Sequence, residues 1–179
     1  MKNLLLAYAS KYGSTQAYAQ WIGEQLGCAP RPANTVRAAD LTACDGVIFG
    51  GGIYAGGIRG VELITRNAAA LADKPIWVFT VGLADPADTQ QFQPLLEKRF
   101  SPAQRERIDF FHLRGGMDYA KLSWTHRVMM GMMVRMVKSK PEGELTEQDR
   151  QLIATYGGKI DFVDPGTAGP LVAAVKARG

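Results

Sequence analysis

The sequence predicts an α/β fold built on a doubly wound parallel sheet. Short, continuous apolar runs recur along the chain, and each is followed by a stretch with helical periodicity. The runs lack the polar alternation of strands with one wet face, which means that both faces are covered. Glycine- or hydroxyl-rich loops stand at the ends of several runs, where an open parallel sheet holds its ligands. Strand alternating with helix five times implies right-handed crossovers and helices on both sides.

The elements follow in order. Residues 4–9 form the first buried strand. Residues 15–26 read as a helix with Ala19, Ile22 and Leu26 on one face and Gly27 ending it. A weak, proline-flanked second strand falls at 33–36, and the third at 46–50, before a glycine-rich loop and a helix over 60–71. Residues 75–82 are the clearest strand, followed by a helix over 89–100 and a fifth strand at 108–113. Ser123 can cap a helix running to about Ser139, which Pro141-Glu142-Gly143 stops. Thr146 and Asp149 resemble a capping box for a helix from Glu147 towards Phe162, expected to cover the sheet. The reading is one domain over 1–164, with a tail at 165–179 that frays or forms a short helix.

Composition narrows the classes. A chain of 179 residues with 46% apolar and 21% charged residues matches an ordinary single soluble domain. Cys28 and Cys44 fit no zinc spacing, and no metal site is expected; two incidental thiols suit a reducing cytoplasm. The N-terminal apolar stretch is too short for a signal peptide, and no run approaches the roughly eighteen apolar residues of a membrane span. A net charge of +4 is too small to argue nucleic-acid binding without a motif.

The first loop carries the most chemistry. Ser10, Lys11, Tyr12, Gly13, Ser14 and Thr15 join a buried strand to a helix, so hydroxyls and backbone N–H groups converge at a helix start and can hold a phosphate monoester. A Ser/Gly turn that only caps the helix has the same residue types. The spacing fits neither a Walker loop nor a dinucleotide fingerprint. This hydroxyl-x-x-Gly-x-Thr pattern after the first strand resembles the FMN phosphate loop of the flavodoxin family. The resemblance implies a flavodoxin-like five-stranded sheet of order 2-1-3-4-5, FMN as cofactor, and two further loops around its ring. In the second of these loops, Gly52, Ile53, Tyr54 and Ala55 would line the isoalloxazine, with Tyr54 against it. In the third, Gly82, Leu83 and Ala84 would complete the site. That third loop holds two aspartates and no aromatic residue, unlike short-chain flavodoxins, leaving the outer flavin face open or covered by Arg114, Met117, Asp118 or Tyr119. Gly50, Gly52 and Ala55 also spell a Rossmann variant, but one placed after the third strand instead of the first.

Residues 121–140 combine a wide apolar surface, rich in methionine and carrying Trp124, with Arg127, Arg135 and Lys138 on one stripe. Such a helix packs on the sheet or faces a partner or membrane surface. With this extra helix between the fifth strand and the last helix, the chain resembles the menaquinone-dependent protoporphyrinogen oxidases, flavodoxin-fold enzymes with a long insertion. The resemblance implies an FMN-dependent oxidoreductase, with a quinone or another redox partner. It also implies a cytoplasmic location with peripheral contact through 123–139 at the inner face of the cell membrane. The alternative is a flavodoxin-type electron carrier without its own substrate. Such carriers are usually acidic, and a pI near 9.1 reverses their field. A receiver domain would need an aspartate at the end of the third strand, where glycine stands. No His, Ser or Cys constellation identifies a catalytic side chain, and nothing in the chain fixes its oligomeric state.

Overall fold

The computed structural model describes residues 3–178. β1 (Leu4–Ala9) occupies an interior position because all six of its residues tolerate cover on both faces. α1 (Ser14–Leu26) follows and ends at Gly27, whose φ of 67° makes a left-handed C-cap. β2 (Pro30–Pro32) pairs with β1 at the sheet edge, in the register Leu6↔Pro30. The sequence reading placed this strand at 33–36, but Ala33–Thr35 form a 3₁₀ turn. An edge strand leaves alternate N–H groups unused, so two prolines are tolerated there.

α2 (Ala38–Ala43) was not anticipated. Asp40 holds its start by accepting from the Arg31 guanidinium and the Arg37 backbone N–H, which keep its carboxyl below the usual range. The Lys74 ammonium donates to the carbonyls of Leu41, Thr42 and Cys44 at its other end. β3 (Gly46–Tyr54) runs four residues past the expected 46–50, because it turns back on itself into β4 (Gly57–Ile58), an antiparallel partner. α3 (Glu62–Thr65) is shorter than expected and gives way to turns.

β5 (Ile76–Gly82) is followed by a 3₁₀ turn at Thr89–Phe92 and α4 (Gln93–Arg99). α5 (Pro102–Arg107) is closed by a reciprocal pair of hydrogen bonds between Ser101 and Gln104, and leads into β6 (Ile108–Arg114). The sheet order is β2-β1-β3-β5-β6, with β4 added on β3. Counting the parallel strands alone, this is the order 2-1-3-4-5. Alternate residues of each strand feed two separate cores. Leu5, Val47, Phe49 and Val78 meet Leu41, Ile64 and Leu96 on one face. Leu6, Ile48, Trp77 and Phe79 meet Tyr18 and Ile22 of α1 on the other. Gly50 is required between them: a Cβ there would lie 2.1 Å from the Phe79 ring.

The chain divides into two compact units, one running to Gly115 and resuming at Val163, the other spanning 116–162. The second unit holds β7 (Gly116–Asp118), α6 (Trp124–Lys138), α7 (Glu147–Thr155) and β8 (Lys159–Asp161), with β7 and β8 antiparallel. Thr146 and Asp149 form the expected capping box. Among the described residues no helix is long and apolar enough to cross a membrane.

The tail at 165–179, expected to fray or form a short helix, holds α8 (Gly169–Ala177), which buries Leu171, Val172 and Val175 in the α1-side core. α8 is nearly all apolar, which suits it to that seat against the sheet. The domain reading 1–164 therefore stops short of the residues that complete its core.

Tyr18 joins the two ends of the first unit. Its ring is fully buried, and its hydroxyl donates to the Arg114 carbonyl (2.7 Å) and accepts from the Asp164 N–H (3.0 Å). Tyr18→Phe leaves both backbone groups without this partner and should cost about 1–3 kcal/mol by urea denaturation. Far-UV circular dichroism should remain unchanged.

His112 supplies a pH dependence. Its Nδ1 lies 2.7 Å from Oγ1 of the buried Thr80, and its ring stacks on Phe92 at 3.7 Å. Burial depresses its pKa from 6.5 to about 4. The unfolded chain thus takes up this proton first as pH falls. The contribution is complete above about pH 6.5 and is lost as pH drops towards 4, by at most about 3 kcal/mol. Denaturation midpoints measured from pH 7 to 4 should fall in the wild type and fall less steeply in His112→Gln.

Candidate functional site

The site lies along the C-terminal edge of the sheet, where the chain leaves β1 for β2 on one side and reaches β3 on the other. Gly13 turns the first loop: its φ of 100° and ψ of −28° are left-handed, and it is the N-cap of α1. The Gly13 N–H donates to Ser10 Oγ at 3.1 Å, folding the loop over itself. The Gly13 carbonyl accepts from Ala17, so the N–H groups of the first helical turn stand outside the intrahelical ladder. Lys11 extends outward, its ammonium 5.5 Å from the Tyr12 ring centroid. Thr15 is only 1% exposed and stands in the first turn of α1. A hydroxyl beside the N–H groups of a helix start suits an anion with several acceptor oxygens.

The second loop comes to meet the first. Ala55 (φ 48°) and Gly56 (φ 69°) are the central residues of the β3–β4 hairpin, and two positive φ values make a type I′ turn. This turn sends Tyr54 back over Gly52, so a Cβ at Gly52 would sit 2.6 Å from the Tyr54 ring. The Tyr54 hydroxyl accepts a long hydrogen bond from the Lys11 N–H (3.4 Å), and its ring meets Tyr12 edge-on at 5.7 Å. Burial, the largest influence on it, pushes the phenol pKa up. Tyr54, read from the sequence as lying against the flavin ring, also bridges the second loop to the first in the structure.

The third loop closes the row. Ile53 lies against Gly82, with Ile53 Cδ1 3.3 Å from where a Cβ would stand. Leu83 offers its carbonyl to the Arg114 guanidinium at 3.4 Å, and Ala84 is half-buried beside it. Asp85 holds the rest of the loop in an Asx turn, accepting from the Ala87 N–H at 2.9 Å. Gly115 ends the row: its N–H donates to the Gly82 carbonyl, and a Cβ there would lie 3.4 Å from Ser14. Sequence reasoning missed Gly115, whose only signal is a glycine directly after a strand.

Of the residues considered as a cover for the open side of the third loop, Arg114 belongs to the same unit and is tied to that loop through the Leu83 carbonyl. Met117 and Asp118 belong to β7, and Tyr119 is buried against Tyr156 within the second unit, at 5.2 Å between centroids.

A family model described as a flavodoxin domain matches residues 5–143. The chain belongs to the flavodoxin domain family. Its fold aligns with that of oxidised flavodoxin 2 from Bacillus cereus, at 24% identity over 63% of this chain and 85% of that one, with a TM-score of 0.42. A flavodoxin from the domain Archaea aligns at 12% identity over 84% and 94% of the two chains, with a TM-score of 0.41. The Trp repressor binding protein from Bacillus subtilis aligns at 12% identity over 86% and 95%, with a TM-score of 0.42. No curated protein matches the chain. The family rests on the sequence match, not on these superpositions.

Flavodoxin domains bind FMN, and FMN is the cofactor of this chain. The donor set fits the group: the first loop has N–H groups, hydroxyls and a left-handed glycine, and the other two offer glycines to a planar ligand. Thr15→Val removes this hydroxyl and should weaken FMN binding about tenfold. Gly13→Val forces a branched side chain into a left-handed turn and should weaken it further. Quenching of FMN fluorescence on titration reads both; unchanged affinity in Thr15→Val would remove this loop from the site.

Proposed function

We propose that the protein is an FMN-dependent oxidoreductase of the protoporphyrinogen oxidase-like flavodoxin type, passing electrons to a quinone at an anionic membrane surface. Ser10, Lys11, Tyr12, Gly13, Ser14 and Thr15 hold the phosphate. Gly52, Ile53, Tyr54, Ala55, Gly82, Leu83 and Ala84 flank the ring. When bound, the isoalloxazine accepts and donates electron pairs; the side chains here bind and orient it and tune its potential. The third loop, which carries no aromatic residue, supports access for a substrate over simple electron carriage.

The observation that carries the membrane reading is the outer face of α6. Met130, Val134 and Val137 are buried, whereas Trp124, Val128, Met132 and Met136 are 75, 46, 62 and 65% exposed. These four stand at successive i, i+4 positions and form one continuous row. At about 100° per residue, Arg135 and Lys138 border that row. Arg127 is partly committed, donating to the carbonyls of Tyr119 and Ala120. Apolar side chains bordered by cations suit the interface of an anionic bilayer, the phase in which a lipophilic quinone dissolves.

Two measurements test this reading. Co-sedimentation with phosphatidylglycerol vesicles at low salt should recover the protein. Arg135→Gln with Lys138→Gln should reduce the partition about thirtyfold, at roughly 1 kcal/mol per charge. Met132→Ser with Met136→Ser should reduce it at any salt. Incubation of the FMN-loaded protein with protoporphyrinogen IX and menadione, without oxygen, should raise porphyrin fluorescence as the quinone is reduced. Reduced protein that passes electrons to a protein acceptor but never yields porphyrin is an electron carrier.

A further inference from the structure

A second cleft opens on the β2 side of the first loop, beside the segment that follows the β3–β4 hairpin. Its volume is about 690 Å³, and it lies among the ends of β1 and β2, the start of α1 and the segment from Arg59 to Asn67. That is the size of a site for a nucleotide-sized ligand. The cleft is rich in donors. Arg59 follows β4 and Arg66 follows α3, and both side chains line it together with Tyr8 and Asn34.

Among the described residues neither Arg59 nor Arg66 takes part in an ion pair or a side-chain hydrogen bond. Nearby Arg31 is different: Asp40 and the Thr35 carbonyl hold it. Burial raises the pKa of the Tyr54 phenol, and the Arg59 charge holds that rise down. Two guanidinium groups lining one concave surface match a phosphate group, which arginine grips with parallel N–H donors. Glu62 is the single carboxylate in the lining. A carboxylate there suits a ribose, whose hydroxyls can donate to it. Ala33 and Leu63 supply an apolar floor and the Asn34 side chain an amide, as the face and edge of a base require.

We propose that this cleft binds a ribonucleoside diphosphate group, separately from FMN, with the pyrophosphate on Arg59 and Arg66. Glu62 takes the ribose and the Ala33–Leu63 floor takes the base. Ser10 forms part of the wall and also belongs to the first loop, so the two ligands lie side by side. The inference needs neither the quinone nor the porphyrin reading.

Isothermal titration of the FMN-loaded protein with ADP tests it. ADP should bind without releasing FMN, as followed by flavin fluorescence. Arg59→Gln with Arg66→Gln should weaken ADP at least about tenfold while FMN stays bound, since each charge-assisted pair contributes about that factor. Inorganic pyrophosphate should bind more weakly than ADP, and Leu63→Asp should abolish that difference. The proposal is overturned by absence of ADP binding or by ADP displacing FMN. Equal binding by the double variant, or pyrophosphate matching ADP, overturns it as well.

Discussion

One phenol oxygen holds the first unit closed. The Tyr18 hydroxyl donates to the last carbonyl of β6 and accepts from the Asp164 N–H just after the chain returns, so the chain departs and returns at one fixed place. Everything on the α1 side of the sheet depends on this. α8 reaches its seat against α1 and β5 only from that point of return, and Gly115 meets Ser14 only because β6 ends there. The same helix thus offers its N-terminus to the cofactor loop and, one turn later, fastens the segment that closes the core behind it. A hydrogen bond in a fully buried position is strong chiefly because leaving it unmade is expensive.

Much of the fold was legible because a parallel sheet writes its strands as unbroken apolar runs. Gly46–Phe49 and Ile76–Val81 have no other stable use than burial on both faces. The phosphate loop was legible for a similar reason: few arrangements of hydroxyls and glycine follow a strand so directly. What was lost depends on contacts far apart in sequence. β2 is a strand only because β1 offers it an edge, and its prolines hide it from any local reading. α8 was read only as a tail because its burial depends on partners in α1 and β5, more than eighty residues earlier in the chain.

Within the site, backbone conformation proved harder to read than composition. The glycines after β3 were recognised as room for a planar ligand, but the reversal at Ala55 and Gly56 was not, since alanine rarely takes a positive φ. That reversal carries the Tyr54 hydroxyl to the first loop and makes two ligand loops into one hydrogen-bonded unit. Arg59 and Arg66 fall in no motif of the sequence; the cleft beside α3 and β2 puts both in one lining.

The place of α8 has a consequence for how the molecule is made. Trp77, Phe79 and Leu113 are complete long before Leu171 and Val175, which seal them, leave the ribosome. During synthesis of the whole 116–162 unit, one side of the sheet has α1 but lacks its second cover, so large apolar side chains stand uncovered. Pairing across such a separation is slow, and a sheet waiting for its last cover is open to association with other chains. Yield in vivo is thus set at the ribosome, by how quickly the late segment arrives, as much as by the stability of the finished protein.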